Sequence, residues 1–575
     1  MGFEQNVNIW LAQENLELTL KEQLQKMTEA EKEEAFYRNL EFGTGGMRGI
    51  IGPGTNRMNI YTIRKASLGF AKYLLENIEK AQERGIVIAY DCRHNSAEFA
   101  METAKVMATH GIKAYVFESL RSTPELSFAV RHLKAAGGVV VTASHNPPEY
   151  NGYKIYDETG CQLVPKDADQ VIAFVDGIDN VFKINTRSAT ELKAAGLIEM
   201  IGSEIDTRYI ERVKKIEINQ DCQKKALKIV FSPLHGAGNI PVRRVLAECG
   251  YEGLSVVEEQ CEPDPNFSTV KSPNPEAAAA FELSIALGKK VGADILMTTD
   301  PDADRVGVAV KDAKGEYILL TGNQTGAILL HYILSQKQAK QLLPTKGKVF
   351  NTIVTSEMGA VIARSYGLEV VSTLTGFKFI GEQARLMETE AGEFIFGYEE
   401  SYGYLIEDFV RDKDGIQSVL MCAEAAAYYK EQGKTLYDVL IELYETYGCY
   451  REDLVNITLM GKEGADKIQG LLAEFREFIP ISVAGKQVIA VEDYQESSRM
   501  NLVNNQVTVI ELPKSNVLKY TLEDGSWFVL RPSGTEPKAK IYLGVVADRL
   551  DKAGEQLAKI REDLLTRVNQ LLASL

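Results

Sequence analysis

A short apolar strand, a polar or glycine-bearing loop and an amphipathic helix recur along most of this 575-residue chain. That rhythm restricts the fold more than any other feature. Ile86-Val87-Ile88-Ala89-Tyr90 leads into Asp91-Cys92-Arg93 and a helix from about Ser96. Val139-Val140-Val141 runs into Thr142-Ala143-Ser144-His145-Asn146-Pro147. Lys228-Ile229-Val230-Phe231 precedes Ser232-Pro233-Leu234-His235-Gly236, and Asp294-Ile295-Leu296-Met297 precedes Thr299-Asp300-Pro301-Asp302. A third round has strands near 348–354, 368–373 and 393–397, the last feeding Gly397–Gly403. Alternation of this kind predicts βαβ units and largely parallel sheets, with function carried on loops at strand C-termini. Residues 1–40 read as amphipathic helix. From about 450 short strands take over (Val455–Met460, Gln506–Leu512, Trp527–Arg531, Lys540–Val545), ending in a helix over about 547–573 with Leu550, Leu557, Ile560, Leu564, Val568 and Leu571 on one face. The chain thus reads as α/β with a C-terminal α+β domain, and its length fits about three to five compact units.

Lys and Arg total 64 against 80 Asp and Glu, a formal charge of −16. Such an acidic surface works against nucleic acid and anionic membranes, so any bound phosphate is expected in a local basic pocket. No stretch reaches the ~18 apolar residues of a membrane span. The N-terminus lacks signal architecture, and Asn6 stands where a myristoylation motif has Ser or Thr. The seven cysteines form no C-x-x-C pair, which predicts reduced thiols and no zinc site. A cytoplasmic protein is expected.

Four loops carry candidate chemistry. In Asp300-Pro301-Asp302-Ala303-Asp304-Arg305, carboxylates at i, i+2 and i+4 of extended backbone point the same way. Their crowding is costly unless a cation neutralises it. Oxygen ligands without His or Cys favour Mg²⁺ over zinc. An EF-hand is excluded, because Arg305 replaces the turn glycine and Lys311 the bidentate Glu; a solvated acidic turn is the bland alternative.

Ser144, on the loop after Val139–Val141, is a candidate nucleophile or phosphate acceptor, or else a turn residue. Thr142 and Asn146 replace the glycines of a nucleophile elbow. His145 follows directly, and adjacent side chains diverge in extended backbone, so no Ser–His dyad is expected. Lys154 is a possible acid–base partner. Arg531-Pro532-Ser533-Gly534-Thr535-Glu536-Pro537-Lys538 offers a guanidinium fork, two hydroxyls and a glycine that admits backbone N–H groups to an anion. Glu399-Glu400-Ser401, flanked by Gly397 and Gly403, can accept from and donate to sugar hydroxyls. Gly433-Lys434-Thr435 is no Walker loop, since Tyr428 holds the first glycine position. Gly43–Gly49 lacks dinucleotide-binding spacing, although Arg48 within it can reach a phosphate.

In this order the four loops resemble those of the α-D-phosphohexomutase family: a phosphoserine loop (Thr142–Pro147), a metal loop (Asp300–Arg305), a sugar loop (Gly397–Gly403) and a phosphate loop (Arg531–Lys538). The resemblance covers roughly residues 40–545. It implies a four-domain architecture around a central cleft, three βαβ-type domains with mixed sheets and a C-terminal α+β domain, here expected at 1–210, 211–322, 323–449 and 450–575. It also implies that Ser144 carries a phosphoryl group, with Mg²⁺ held by Asp300, Asp302, Asp304 and a phosphate oxygen on Ser144. Lys154 then resembles the general base, with Arg48 and His145 beside the transfer site. Glu399, Ser401, Lys378, Arg305, Arg531, Ser533, Gly534 and Thr535 are expected on the substrate.

The sugar loop Gly-Tyr-Glu-Glu-Ser-Tyr-Gly is similar to the phosphoglucomutase kind, which implies exchange of glucose 1-phosphate and glucose 6-phosphate through glucose 1,6-bisphosphate. The length and Thr375–Phe379 resemble the branch that includes phosphopentomutases, and a pentose or mannose phosphate remains an alternative. The implied partners are small-molecule sugar phosphates, with a monomeric or dimeric chain. A metal-dependent phosphohydrolase is disfavoured by the separate phosphate loop, and a non-catalytic sensor by the retention of every reactive residue.

Overall fold

The computed structural model describes residues 2–41, 43, 46–389, 392–459, 461–532 and 538–575. They divide into two compact units, residues 1–350 with 376–437, and residues 351–375 with 438–575.

In the first unit, the leading sheet has the strand order Gly46–Ile50, Tyr150–Tyr156, Gly137–Val141, Ile86–Tyr90, Ala114–Phe117, Ile198–Ile201. Gly137–Val141, Ile86–Tyr90, Ala114–Phe117 and Ile198–Ile201 run parallel. Tyr150–Tyr156 and Gly46–Ile50 add antiparallel at one edge, so the sheet is mixed. The central strands are apolar at nearly every position because helices cover both faces. Ile86, Ile88, Val139 and Val141 share a core with Ile63, Phe70 and Leu74 of the helix Ile60–Asn77 and with Phe99 and Met107 of the helix Ser96–Thr109. On the other face Gly138 lies against Leu126 and Val130 of the helix Thr123–Leu133.

The second sheet, ordered Tyr317–Leu319, Val306–Lys311, Ile295–Thr299, Ile229–Ser232, Leu254–Val256, is again mixed. Val306–Lys311 doubles back antiparallel on Ile295–Thr299, and the acidic loop makes that reversal. In the third, Gly347–Thr352 runs parallel to Glu393–Glu399, which turns antiparallel into Gly403–Leu405. The buried helix Gly415–Glu431 follows.

Residues 1–40 are not one helix. Glu17 caps Leu18–Lys26 by accepting from Thr19 and Leu20 N–H, and Thr28 with Glu31 forms a capping box on Glu29–Phe36. These helices, with Phe3–Leu11, enclose their own small core, where Trp10 meets Phe36, Tyr61 and Phe182 edge-on. Through Leu40, which packs on Gly49, that layer leads into the strand bearing Arg48.

The second unit is an antiparallel sheet in the order Cys449–Thr458, Lys538–Ala547, Trp527–Pro532, Leu518–Leu522, Lys486–Asp493, Ser498–Asn501, Gln506–Val509. The first of these strands starts at Cys449, before the expected Val455, since its full length pairs with Lys538–Ala547. The last helix, Leu550–Ser574, buries Ala553, Ile560, Leu564 and Val568.

Candidate active site

Ser144 sits on the loop that leaves Gly137–Val141. Its backbone φ is +50°, a left-handed conformation that costs a residue with a Cβ about 1–2 kcal/mol. The turn is held from both sides. Ser144 N–H donates to Thr142 Oγ1 at 2.8 Å, and Thr142 Oγ1 donates to Asp91 Oδ2 at 2.6 Å. Opposite, Arg93 Nη2 donates to the Ser144 carbonyl at 2.5 Å. The side chain emerges toward the second sheet, and Oγ donates to Asp300 Oδ2 at 2.6 Å.

His145 Nδ1 lies 3.1 Å from the same Oγ. The expected divergence of these neighbours therefore does not occur, because the backbone between them is left-handed where the expectation assumed an extended strand. Burial, with Arg305 and Arg48 nearby, holds the His145 imidazole well below its ordinary pKa, so it is neutral at neutral pH.

The acidic loop turns at Ala303, φ +53°. Asp300 Oδ1 accepts the N–H groups of Asp304 and Arg305. All three aspartates are buried, and their oxygens lie within 4.8 Å of one another. Asp302 Oδ2 accepts from Lys154 Nζ at 2.8 Å and from Thr123 Oγ1 at 3.0 Å. Asp304 Oδ2 lies 3.1 Å from Lys413 Nζ and 3.5 Å from Lys154 Nζ. The other oxygens, Asp302 Oδ1 and Asp304 Oδ1, are buried without a hydrogen-bond partner. Orphaned carboxylate oxygens are expensive. Three converging carboxylates with two free oxygens and an adjoining hydroxyl suit a hard divalent cation.

Electrostatics agree with that fit. Burial, then the charges of Asp302 and Asp304, push the Asp300 carboxyl well above its usual range. Asp302 is also buried but is held low by Lys154. Burial works against the Lys154 ammonium, yet Asp302 and Asp304 outweigh it and raise its pKa. Lys413 is likewise raised by Asp304 and Asp412 against burial.

Of the other expected residues, Arg305 donates to Glu276 at 2.7 Å, and burial is again outweighed, here by Glu276 and Asp304. Arg48 is exposed and donates to Asn146 Oδ1 at 2.7 Å, which ties it to the serine loop. Ser401 donates to Glu399 Oε1 at 2.7 Å, and Glu399 contributes to the field around Lys413. Lys378 is buried in the first turn of the helix Phe377–Leu386, one residue after Phe377, whose ring lies 5.5 Å from Lys413 Nζ. Arg531 belongs to the second unit, opposite Lys540. Ser533, Gly534 and Thr535 lie outside the described residues. Sequence reasoning did not single out Lys413, Thr123 or Arg93. The alternating charges of Asp412-Lys413-Asp414, directly before a helix that is buried over most of its length, were the available signal for Lys413.

Mixed α/β sheets in succession, with a serine loop of one set against an acidic loop of the next, define a multidomain α/β enzyme. The chain belongs to the phosphoglucomutase/phosphomannomutase family, whose alpha/beta/alpha domains I, II and III match residues 39–182, 207–315 and 321–447, and whose C-terminal domain matches 454–563. A phosphoglucomutase of Staphylococcus epidermidis is 39% identical over 94% of this chain and 97% of its own. Among solved structures, a Burkholderia thailandensis protein of the phosphoglucomutase/phosphomannomutase family covers 92% of this chain and 97% of its own with a TM-score of 0.67 at 18% identity. Aspergillus fumigatus N-acetylphosphoglucosamine mutase, in complex with GlcNAc-6P and magnesium, covers 92% and 96% with a TM-score of 0.51 at 14% identity.

Proposed function

We propose that this enzyme is a phosphoglucomutase, interconverting α-D-glucose 1-phosphate and glucose 6-phosphate through a phosphoserine at Ser144. The observation that carries the reading is the 2.6 Å hydrogen bond from Ser144 Oγ to Asp300, which sets a reactive hydroxyl against three converging carboxylates. The resemblance of the sugar loop to the phosphoglucomutase kind supports glucose, as do relatives of that name that match nearly full length. The domains run over 1–210, 211–322, 323–449 and 450–575, and the chain acts in the cytoplasm on small sugar phosphates.

Asp300, Asp302 and Asp304 would hold Mg²⁺ with a phosphate oxygen on Ser144. Bound there, the ion neutralises charge and polarises the phosphoryl group. In the forward step the P–Oγ bond of phosphoserine breaks and a P–O bond forms to the free sugar hydroxyl. The hydroxyl proton passes to a basic side chain. With the charges of Asp302 and Asp304 neutralised by a bound Mg²⁺, Lys154 would lose the field that keeps it protonated and would then exchange the proton of the sugar oxygen. His145, neutral and 3.1 Å from Oγ, takes or returns the proton of Ser144. Glucose 1,6-bisphosphate then turns over, and its other phosphoryl group returns to Ser144 as the proton passes back to the sugar oxygen.

Glu399 and Ser401 grip ring hydroxyls in both orientations, while Arg531, Ser533, Gly534 and Thr535 hold the non-reacting phosphate. Arg48 lies beside the transfer site, and Arg305 and Lys378 contact the substrate. Positioning and charge complementarity supply most of the rate, as in phosphoryl transfer generally.

A coupled assay with glucose 1-phosphate, Mg²⁺ and a trace of glucose 1,6-bisphosphate, beside mannose 1-phosphate and ribose 1-phosphate, tests the reading. Conversion of the glucose ester well above the others is expected. A faster pentose reaction would make the chain a phosphopentomutase, and phosphate release without isomerisation would overturn the mutase reading.

A further inference from the structure

The loop that presents Ser144 cannot satisfy all of its own carbonyls; that of Pro147 accepts from within it, from the Tyr150 N–H at 3.1 Å. Residues 144–150 contain Pro147 and Pro148, which have no N–H to donate, so acceptors outnumber donors. One side chain makes up the deficit. Arg93 Nη1 donates to the carbonyls of Pro147 at 2.8 Å and Tyr150 at 3.0 Å, and Nη2 to those of Ser144 and Asn146, both at 2.5 Å. Its guanidinium is wholly buried, and Nε lies 3.3 Å from Asp91 Oδ2. Asp91 accepts in turn from Ser96 Oγ and from Thr142 Oγ1, the atom that takes the Ser144 N–H. A single buried ion pair therefore grips both backbone groups of Ser144.

The open face of that guanidinium is covered from the neighbouring sheet's loops. Phe267 places its ring 5.0 Å from Arg93 Cζ. Its segment is fixed by His235, which meets Thr269 Oγ1 at 2.7 Å and the Glu262 carbonyl at 2.9 Å. Directly after His235, Gly236 and Ala237 pack on Pro301 between the aspartates. Asn266 also bonds His94 at 2.8 Å.

We propose that Arg93, capped by Phe267, is a positioning residue that sets the left-handed turn at Ser144 and aligns Oγ with the acidic loop. Only a guanidinium fits, because one planar group must serve four carbonyls in two directions and stack on a ring. A lysine keeps the charge but offers one point of donation. The inference rests on the reading of Ser144 as phosphoryl carrier.

The test follows Ser144 phosphorylation from glucose 1,6-bisphosphate by rapid quench and intact mass, in wild type, Arg93→Lys and Phe267→Leu. The scale of a small misplacement predicts uptake about 100-fold slower in Arg93→Lys. Loss of a desolvated cation–π face predicts about 10-fold in Phe267→Leu. KM for the hexose phosphate and the Tm rise with Mg²⁺ should stay as in wild type, which a merely loosened fold would not allow. Wild-type uptake in either folded variant overturns the inference, as does a loss confined to KM. Should Arg93→Lys not fold, Phe267→Leu decides. Failure of the wild-type chain itself to take up a phosphoryl group would instead sink the mutase reading, and this inference with it.

Discussion

Ser144 pays for its position in backbone conformation. A φ of +50° is comfortable for glycine and strained for serine, and such strain persists only where neighbours over-determine it. Here Thr142 and Arg93 do so. Ser144→Gly and Ser144→Ala both remove the hydroxyl and its bond to Asp300, so their difference isolates the strain. The glycine variant should melt above the alanine variant, by about 1 kcal/mol of stability, with both devoid of mutase turnover. Equal melting in a thermal scan would show that the turn is unstrained. At this scale the sequence is readable where chemistry is contiguous, as in Asp300–Asp304. It is unreadable where one residue acts through distant backbone: Arg93 serves carbonyls some fifty positions away, and nothing in Asp91-Cys92-Arg93 announces that.

Among the elements, the helix Gly415–Glu431 shows how a buried start is managed. Asp414 caps it, accepting from Ile416 and Gln417 N–H and from the Tyr209 hydroxyl. Burial nevertheless pushes its carboxyl up to about 6 from 3.8, against those hydrogen bonds. The folded chain thus binds this proton more tightly than the unfolded chain does. Asp414's contribution to stability is full below about pH 4 and is lost as pH rises through about 6, a change of order 3 kcal/mol. Wild type should therefore gain Tm relative to Asp414→Asn as pH falls from 7 to 4.5. Parallel curves for the two proteins would refute the titration. Element positions were largely legible: Ile86–Tyr90 is a strand over the residues its apolar run marks. Strand direction was not. Apolar content does not encode direction, so the antiparallel additions Tyr150–Tyr156 and Val306–Lys311 emerge only from tertiary pairing.

For the whole molecule, the order of the four loops along the sequence matches the order in which the four family domains follow one another. What the sequence could not convey is how charges from separate sheets meet. Ser144 and Lys154 come from the first, the aspartates from the second, and Lys413 from the third. A divalent cation held by the three aspartates beside the Ser144 hydroxyl would draw on residues of two sheets. Mg²⁺ at about 100 times its Kd should therefore raise stability by about 2.7 kcal/mol. A Tm indifferent to Mg²⁺ in wild type, or an equal rise in Asp302→Asn, would count against the triad as its site.

Lys154 and Lys413 give that exchange a particular character. Their ammonium groups already lie on the oxygens of Asp302 and Asp304, as resident stand-ins for a mobile charge. Stripping the ion with a chelator should leave an idle protein with its shape intact. Activity should then return on the timescale of mixing, with no refolding lag.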